Sequence, residues 1–262
     1  MKRLPTIVLI IVVGFLSFRC SQSRLSSYPD FPERKKTLGS MTILSDCMVI
    51  QALRSDTDKI DLVENKEIGI HVLERFADVL RQKGYEIKNT TLSSVGLVMD
   101  RNQWYKIVRT MDDRILNDNN LPLASAPFYI DRAVSHDSAL YVHLGSVYDA
   151  LINGHAGLGK TKSFVPEAVR LGKVTGDSVI AIVLSGGYNV PASKEFGVAA
   201  ENRSLTSHVV AVKSTSHLSL MFFLLDARTG EVLWEDRRFK NGGTVVLEKY
   251  LSMVEGILEN LP

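Results

Sequence analysis

The sequence predicts an α/β fold, in which a mixed sheet of about five strands carries helices packed on it. Three segments support this class. Residues 177–186 (DSVIAIVLSG) hold a continuous apolar run, which is typical of a strand buried on both faces. Residues 67–85 place apolar side chains at helical spacing. Residues 221–239 contain two apolar runs around a short turn with a glycine, which indicates a hairpin.

The first half of the chain is predicted to form strand, helix and further strand. Residues 41–50 (MTILSDCMVI) are the first predicted strand, and the helix at 67–85 follows a charged loop. Gly84 is placed to end this helix in the left-handed conformation. Extended chain is expected around residues 85–98. The apolar face of the helix consists of Ile68, Val72, Leu73, Phe76, Val79 and Leu80.

The middle of the chain gives weaker signals. Residues 100–117 are predicted to be helical, because several apolar residues fall on one side. Residues 116–133 are predicted to be a loop, and residues 138–153 (SALYVHLGSVYDALIN) fit either a strand or a helix. The apolar residues of the first of these segments are Trp104, Ile107, Val108, Met111 and Ile115.

The C-terminal part gives the clearest local pattern. A strand at 217–226 leads into a hairpin turn at 227–230, where Gly230 is expected to have a positive φ. Trp234, on the second arm of the hairpin, is predicted to be buried. Residues 244–262 then form a closing amphipathic helix that lies on the sheet.

The first 20 residues (MKRLPTIVLIIVVGFLSFRC) have the layout of a secretory signal peptide, with two basic residues before an apolar run. The run is shorter than the about 20 apolar residues of a membrane span. Cys20 closes it and resembles the lipid-attachment cysteine of bacterial lipoproteins, although Arg19 stands where a small residue is usual. We predict lipidation at Cys20. An uncleaved anchor or an ordinary secretion signal is the alternative.

The remaining chain divides into a tether and one domain. Residues 21–38 are polar and contain two prolines, so they are predicted to be a flexible tether that holds the domain away from a surface. Fully extended, such a segment reaches about 60 Å. Residues 39–262 are predicted to form a single α/β domain with a long middle insertion, at about 101–177.

Charge and cysteine content exclude some classes of function. The chain has 31 basic and 29 acidic residues, and three of the basic ones lie within the first 20 positions. A nearly neutral domain gives no electrostatic reason to bind nucleic acid. With two cysteines and Cys20 predicted to be acylated, no disulfide framework is expected. Cys47 stands in an apolar run and is interpreted as a small buried hydrophobe.

One segment matches a nucleotide-binding pattern. Residues 154–161 (GHAGLGKT) fit the phosphate loop G-x-x-x-x-G-K-T, in which backbone amides and the lysine would bind phosphates and the hydroxyl would bind magnesium. The residues concerned are Gly154, Gly159, Lys160 and Thr161. Such a loop needs a strand before Gly154 and a helix from Lys160. We expect neither, and interpret the segment as a glycine-rich loop.

No other chemistry-bearing constellation is found in the sequence. The histidines have no metal-ligand spacing, and no G-x-S-x-G nucleophile motif is present. We therefore predict no catalytic residue, no cofactor and no metal site. The histidines are His71, His136, His143, His155, His208 and His217.

Three features occur in an order that resembles a known group of proteins. An early strand follows the lipoprotein-type start, a helix ends in LRQKGYEI at 80–87, and a DARTGEVLW hairpin at 226–234 precedes the last helix. This order is similar to that of the bacterial envelope lipoproteins related to CsgG, LpoB and the amino-terminal domain of TolB, over residues 40–100 and 178–260. The resemblance implies a mixed sheet of about five strands with helices on it, and it transfers no catalytic residue.

These observations predict a non-enzymatic envelope lipoprotein that binds another envelope protein or its own copies, in an assembly, secretion or cell-wall accessory role. Its membrane contact would be the lipid on Cys20. Ser21, rather than an aspartate, follows that cysteine and favours the outer membrane, facing the periplasm. The alternatives are a nucleotide-binding enzyme that uses Lys160 and an oligomeric, CsgG-like secretion pore, which would need two amphipathic hairpins.

Overall fold

The computed structural model describes residues 22–27, 30–51, 58–97, 107–110, 129–153, 164–190, 216–242 and 246–262. Nine strands and six helices are found in these ranges. The strands are β1 (Gln22–Ser27), β2 (Met41–Gln51), β3 (Asp58–Ile60), β4 (Ile87–Val95), β5 (Ile107–Thr110), β6 (Tyr129–Ile130), β7 (Val179–Asn189), β8 (His217–Asp226) and β9 (Val232–Asn241). The helices are α1 (Phe31–Lys35), α2 (Leu62–Gln82), α3 (Arg132–His136), α4 (Ser138–Asn153), α5 (Glu167–Thr175) and α6 (Leu247–Glu259).

The strands form one mixed sheet. Its order is β1-β9-β8-β7-β2, and β2 continues into β4 and β6 along its first part and into β3 and β5 at its end. β2 is parallel to β7 and β4, whereas β7, β8, β9 and β1 pair antiparallel in turn. The predicted α/β class is confirmed. The sheet has more strands than the five or so expected. The additional strands are β1, β3, β5 and β6, which the sequence does not predict because they are short and lack a clear apolar alternation.

Helices cover both faces of the sheet. Alternate residues of the central strands point to opposite sides, as the period of two requires. Ile43, Val183 and Phe222 belong to the core under α2 and α6, and Phe76 of α2 stacks on Phe222 with ring centroids 5.1 Å apart. Ile182 belongs to the second core, under α3, α4 and α5. The domain is therefore a helix–sheet–helix sandwich.

Helix α2 completes the hydrogen bonding of β2. The register of β4 on β2 stops at Cys47, and β3 pairs only with Gln51. Between them, the buried Asn65 side chain accepts from the Val49 amide at 2.6 Å and donates to the Val49 carbonyl at 2.9 Å. A side-chain amide thus takes the place of a missing strand. The predicted end of helix α2 is also confirmed, since Gly84, which follows it, has the left-handed conformation with a φ of 85°.

The C-terminal hairpin is as the sequence predicts. Gly230 has a φ of 82°, and Trp234 is only 4% exposed. A Cβ at Gly230 would also lie 2.8 Å from the Val165 carbonyl oxygen, so both space and backbone conformation require glycine. The Trp234 ring packs against Phe31 of α1, with centroids 5.6 Å apart.

The predicted flexible tether is wrong over the residues that the structure describes. Residues 22–27 form β1, which pairs with β9 from Gln22↔Phe239 to Ser27↔Trp234. Phe31 is fully buried, and Arg34 makes a 2.6 Å ion pair with Glu231. The polar composition is typical of a tether, but an edge strand needs only backbone pairing, and Phe31 together with the Arg34–Glu231 pair holds α1 on the hairpin.

The middle of the chain corrects two further expectations. Residues 107–110, predicted within a helix, form β5 parallel to β3; the rest of 100–117 lies outside the described residues. The predicted loop at 116–133 contains β6 and the first residues of α3.

The ambiguous segment 138–153 is helix α4. The Asp137 carboxylate accepts from the amides of Ala139 and Leu140, at 3.0 and 2.9 Å. This cap satisfies two orphan donors of the first turn and favours the helix.

We predict that Asn65→Leu destabilises the domain by about 2–6 kcal/mol. The substitution leaves two buried backbone groups of Val49 without partners, and each such group costs about 1–3 kcal/mol. Urea unfolding measures the loss. Glu67→Leu, at an exposed position of the same helix, is the matched control and should change stability by no more than about 0.5 kcal/mol. Equal stability of the two variants would contradict the role assigned to Asn65.

We predict that Trp234→Ala lowers stability by about 3–5 kcal/mol, because it removes a buried aromatic side chain that packs on Phe31. Gly230→Val should cost about 1–3 kcal/mol, since valine is strained at a positive φ. Thermal unfolding of both variants gives the comparison. A Trp234→Ala protein that kept its melting temperature but lost a binding partner would instead make the tryptophan a recognition residue.

Candidate functional site

The residues predicted to carry chemistry lie outside the described ranges, but their flanks are defined. Cys20 stands two positions before Gln22, the first residue of β1. The motif at 154–161 directly follows α4, a helix, where a phosphate loop requires a strand. The next described helix, α5, begins at Glu167 rather than at Lys160. The surroundings of Gly154, Gly159, Lys160 and Thr161 therefore differ from those of a phosphate loop.

The buried titratable groups of the described residues support the fold. Burial raises the pKa of Cys47 to about 12, so the thiol stays protonated and unreactive. The Asp46 carboxylate is buried in the middle of β2, beside the end of β4, where it accepts from Ser94 Oγ at 2.6 Å and from the Leu97 amide at 3.1 Å. These two bonds fix the chain after β4. Within the described ranges, no three His, Cys, Asp or Glu residues are grouped to hold a metal ion.

One end of the sheet brings polar side chains from several strands together. The register places Gln22 of β1 beside Phe239, and pairs Asn241 with His217 of β8. His217 pairs with Tyr188 at the end of β7, and Asn189 pairs with Gln51 at the end of β2. We call this the Gln22 end, defined by Gln22, Gln51, Asn189, His217 and Asn241. The turn at 227–230 marks the opposite end, called the hairpin end.

A chain of three hydrogen-bonded polar side chains and a small apolar cluster lie at the Gln22 end. Asn189 Nδ2 donates to Gln51 Oε1 at 2.7 Å, and Gln51 Nε2 donates to Glu64 Oε2 at 2.6 Å. Burial is the main cause that raises the pKa of Glu64, although the Gln51 bond opposes it. Beneath this chain lie Met48, Ile50, Ile60, Tyr188 and Val190, and the Tyr188 ring stacks on His217 at 5.8 Å.

The surface at this end mixes exposed apolar and basic side chains. Helices α2 and α6 both begin here. Val63, in the first turn of α2, is 76% exposed, and Val246, the N-cap residue of α6, is 37% exposed. Lys240 and Lys249 lie nearby, on β9 and α6. Burial, together with the positive charges of Lys249 and Arg238, lowers the pKa of Lys240. The end therefore offers exposed apolar groups and charges of both signs, since Glu64 and Glu248 lie in the first turns of α2 and α6.

Hydrogen bonds also join the end of β7 to the start of β8 at the Gln22 end. Ser216 Oγ accepts from the Val190 amide at 2.9 Å and donates to the Val190 carbonyl at 3.2 Å, and the Ser216 carbonyl accepts from the Gly242 amide. The segment between β7 and β8 thus leaves the sheet at Val190 and returns to it at Ser216, and these two residues are bonded to each other.

No helix in the described part of the chain is long and apolar enough to span a bilayer.

Sequence analysis did not identify this end as a site. Its members come from five strands, and the decisive contact joins β1 to β9, from the two extremes of the chain. No local pattern in QSRLSS marks a strand of this kind, because edge pairing uses backbone groups that every residue other than proline carries.

Comparison with known proteins adds little. No family model matches the chain, and no curated protein is similar to it. Among solved structures, the PelC dodecamer from Paraburkholderia phytofirmans is 9% identical, covers 91% of this chain and 94% of its own, and has a TM-score of 0.33. Lipoprotein GNA1162 from Neisseria meningitidis is 11% identical, with 84% and 97% coverage and a TM-score of 0.28. Similarity at this level carries no conclusion about what the chain does.

Proposed function

We propose that the protein is a non-enzymatic lipoprotein of the bacterial cell envelope, anchored by lipid on Cys20 in the outer membrane and facing the periplasm. It binds another envelope protein or further copies of itself, in an assembly, secretion or cell-wall accessory role. The observation that carries the proposal is the N-terminal sequence, in which a basic start and an apolar run end at Cys20.

The position of the first strand supports the proposal. β1 begins two residues after Cys20, so the first described strand lies close to the N-terminus that a processed lipoprotein would have.

The buried ionisable groups of β9 have partners within the fold. Glu235 pairs with Arg237 and Asp236 with Arg238, on opposite sides of β9. Burial raises the pKa of both carboxyls against the opposing effect of the arginines. Each arginine also donates to a helix backbone, Arg237 to Leu151 of α4 and Arg238 to Gly256 of α6. These charges join the layers of the fold.

The two alternatives receive no support from the described residues. A nucleotide-binding enzyme would need a strand before Gly154, where α4 ends. A CsgG-like pore would need two amphipathic hairpins in addition to the sheet, and no such pair is found in the described ranges.

We predict that Cys20→Ser abolishes incorporation of radiolabelled palmitate and releases the protein from membranes. Cys47→Ala is the matched control, because it removes the other cysteine of the chain and should leave labelling and membrane association unchanged. Labelled protein is measured after fractionation of the cells.

Equal palmitate labelling of Cys20→Ser and the wild type would contradict lipidation at Cys20. A variant that lost the label but stayed in the membrane would instead identify the apolar segment as an uncleaved anchor. Arg19→Ala should increase the processed fraction, because a small side chain replaces a bulky cation next to the cleavage site.

A further inference from the structure

We infer that the Gln22 end of the domain lies directly against the phospholipid headgroups of the membrane that holds the lipid on Cys20. The domain would therefore stand on the bilayer with the hairpin end pointing away. This inference rests on the proposed lipidation and adds an orientation and a contact surface to it.

The length of the connection gives the first argument. Only Ser21 separates Cys20 from Gln22, so the two Cα atoms are at most about 7 Å apart. The headgroup region on each side of a bilayer is about 5–7 Å thick. A lipid attached to Cys20 thus places Gln22 at the level of the headgroups or just above them.

The pairing of β1 gives the second argument, because it transmits this position to the domain. Six consecutive residues of β1 pair with β9, and Phe31 holds the following helix on Trp234. Without this pairing, the chain from Cys20 to Asp30 could extend over about 35 Å. With it, only Ser21 lies between the lipid-bearing cysteine and the first residue of the sheet.

The chemistry of the exposed side chains suits a phospholipid surface. Val63 and Val246 present exposed apolar groups where α2 and α6 begin. Lys240, on the last part of β9, and Lys249 are two partly buried cations that can attract anionic headgroups, although Glu64 and Glu248 in the first turns of α2 and α6 add charge of the opposite sign. The proposed occupant of this surface is therefore the bilayer that carries the anchor.

Fluorescence quenching by spin-labelled lipids tests the orientation. The full-length lipoprotein is reconstituted in vesicles of phosphatidylethanolamine and phosphatidylglycerol that contain headgroup-region nitroxide lipid. A dye is attached to Val63→Cys, Val246→Cys or, at the hairpin end, Thr229→Cys. The two ends of β9 are about 30 Å apart. We expect several-fold stronger quenching at positions 63 and 246 than at 229, and equal or stronger quenching at 229 would overturn the inference.

Two controls separate this inference from the proposed function. The wild-type lipoprotein should take up no dye, since its remaining thiol, Cys47, is buried. The palmitate content of each preparation is measured as well. Protein without palmitate would refute the proposed lipidation. Lipidated protein that is quenched most at position 229 would refute only the orientation.

A second variant tests the part played by β1. Ser23→Pro together with Leu25→Pro removes two backbone donors from this edge strand and should release it from β9. We expect quenching at position 246 to fall at least twofold while the melting temperature shows that the domain stays folded. Unchanged quenching with β1 released, as judged by amide hydrogen exchange of β9, would overturn the claim that β1 sets the distance to the membrane.

Discussion

The parallel pairing of β2 with β7 is the constraint on which the rest of the structure depends. It runs without a break from Met41↔Val179 to Gln51↔Asn189, and nearly all of its residues are buried. A strand pair that is apolar on both faces must be covered on both sides. The two helical layers follow from this need. So does the role of Asn65, since a central strand longer than its partner β4 exposes backbone groups that something must satisfy.

Charge fixes the layers where apolar packing ends. β9 lies next to the edge of the sheet, and its last residues are only half-buried. There the fold uses arginines that reach the backbone of a helix on each side. Gly256 belongs to this arrangement, because a Cβ at that position would lie 3.1 Å from Arg238 Nη1. A buried pair of this kind adds little net stability, but loss of one partner is costly because the other charge stays buried. The pairs therefore fix the position of the helices more than they stabilise the fold.

The sequence predicts those parts of the fold that local patterns determine. The helix ending at Gly84, the buried strand β7, the hairpin at Gly230 and the last helix all have apolar periodicity with a glycine or a polar boundary. Elements that depend on distant partners were missed. Ile107–Thr110 become a strand because β3 lies beside them, and β1 exists because β9 offers an open edge. The candidate site was not predictable for the same reason, whereas Cys20 could be proposed because its pattern is contiguous.

The pairing of β1 with β9 also has a consequence for the order of events during synthesis and export. β1 is among the first segments to leave the ribosome, whereas its partner begins only at Val232, close to the end of the chain. Until β9 has been made and translocated, β1 has no strand to pair with. In the proposed lipoprotein, processing enzymes that act before β9 is translocated would meet Cys20 in front of an unpaired segment, even though the mature domain leaves only one residue between that cysteine and the sheet. If acylation precedes that point, completion of the sheet would then bring the proposed lipoprotein's domain onto the membrane.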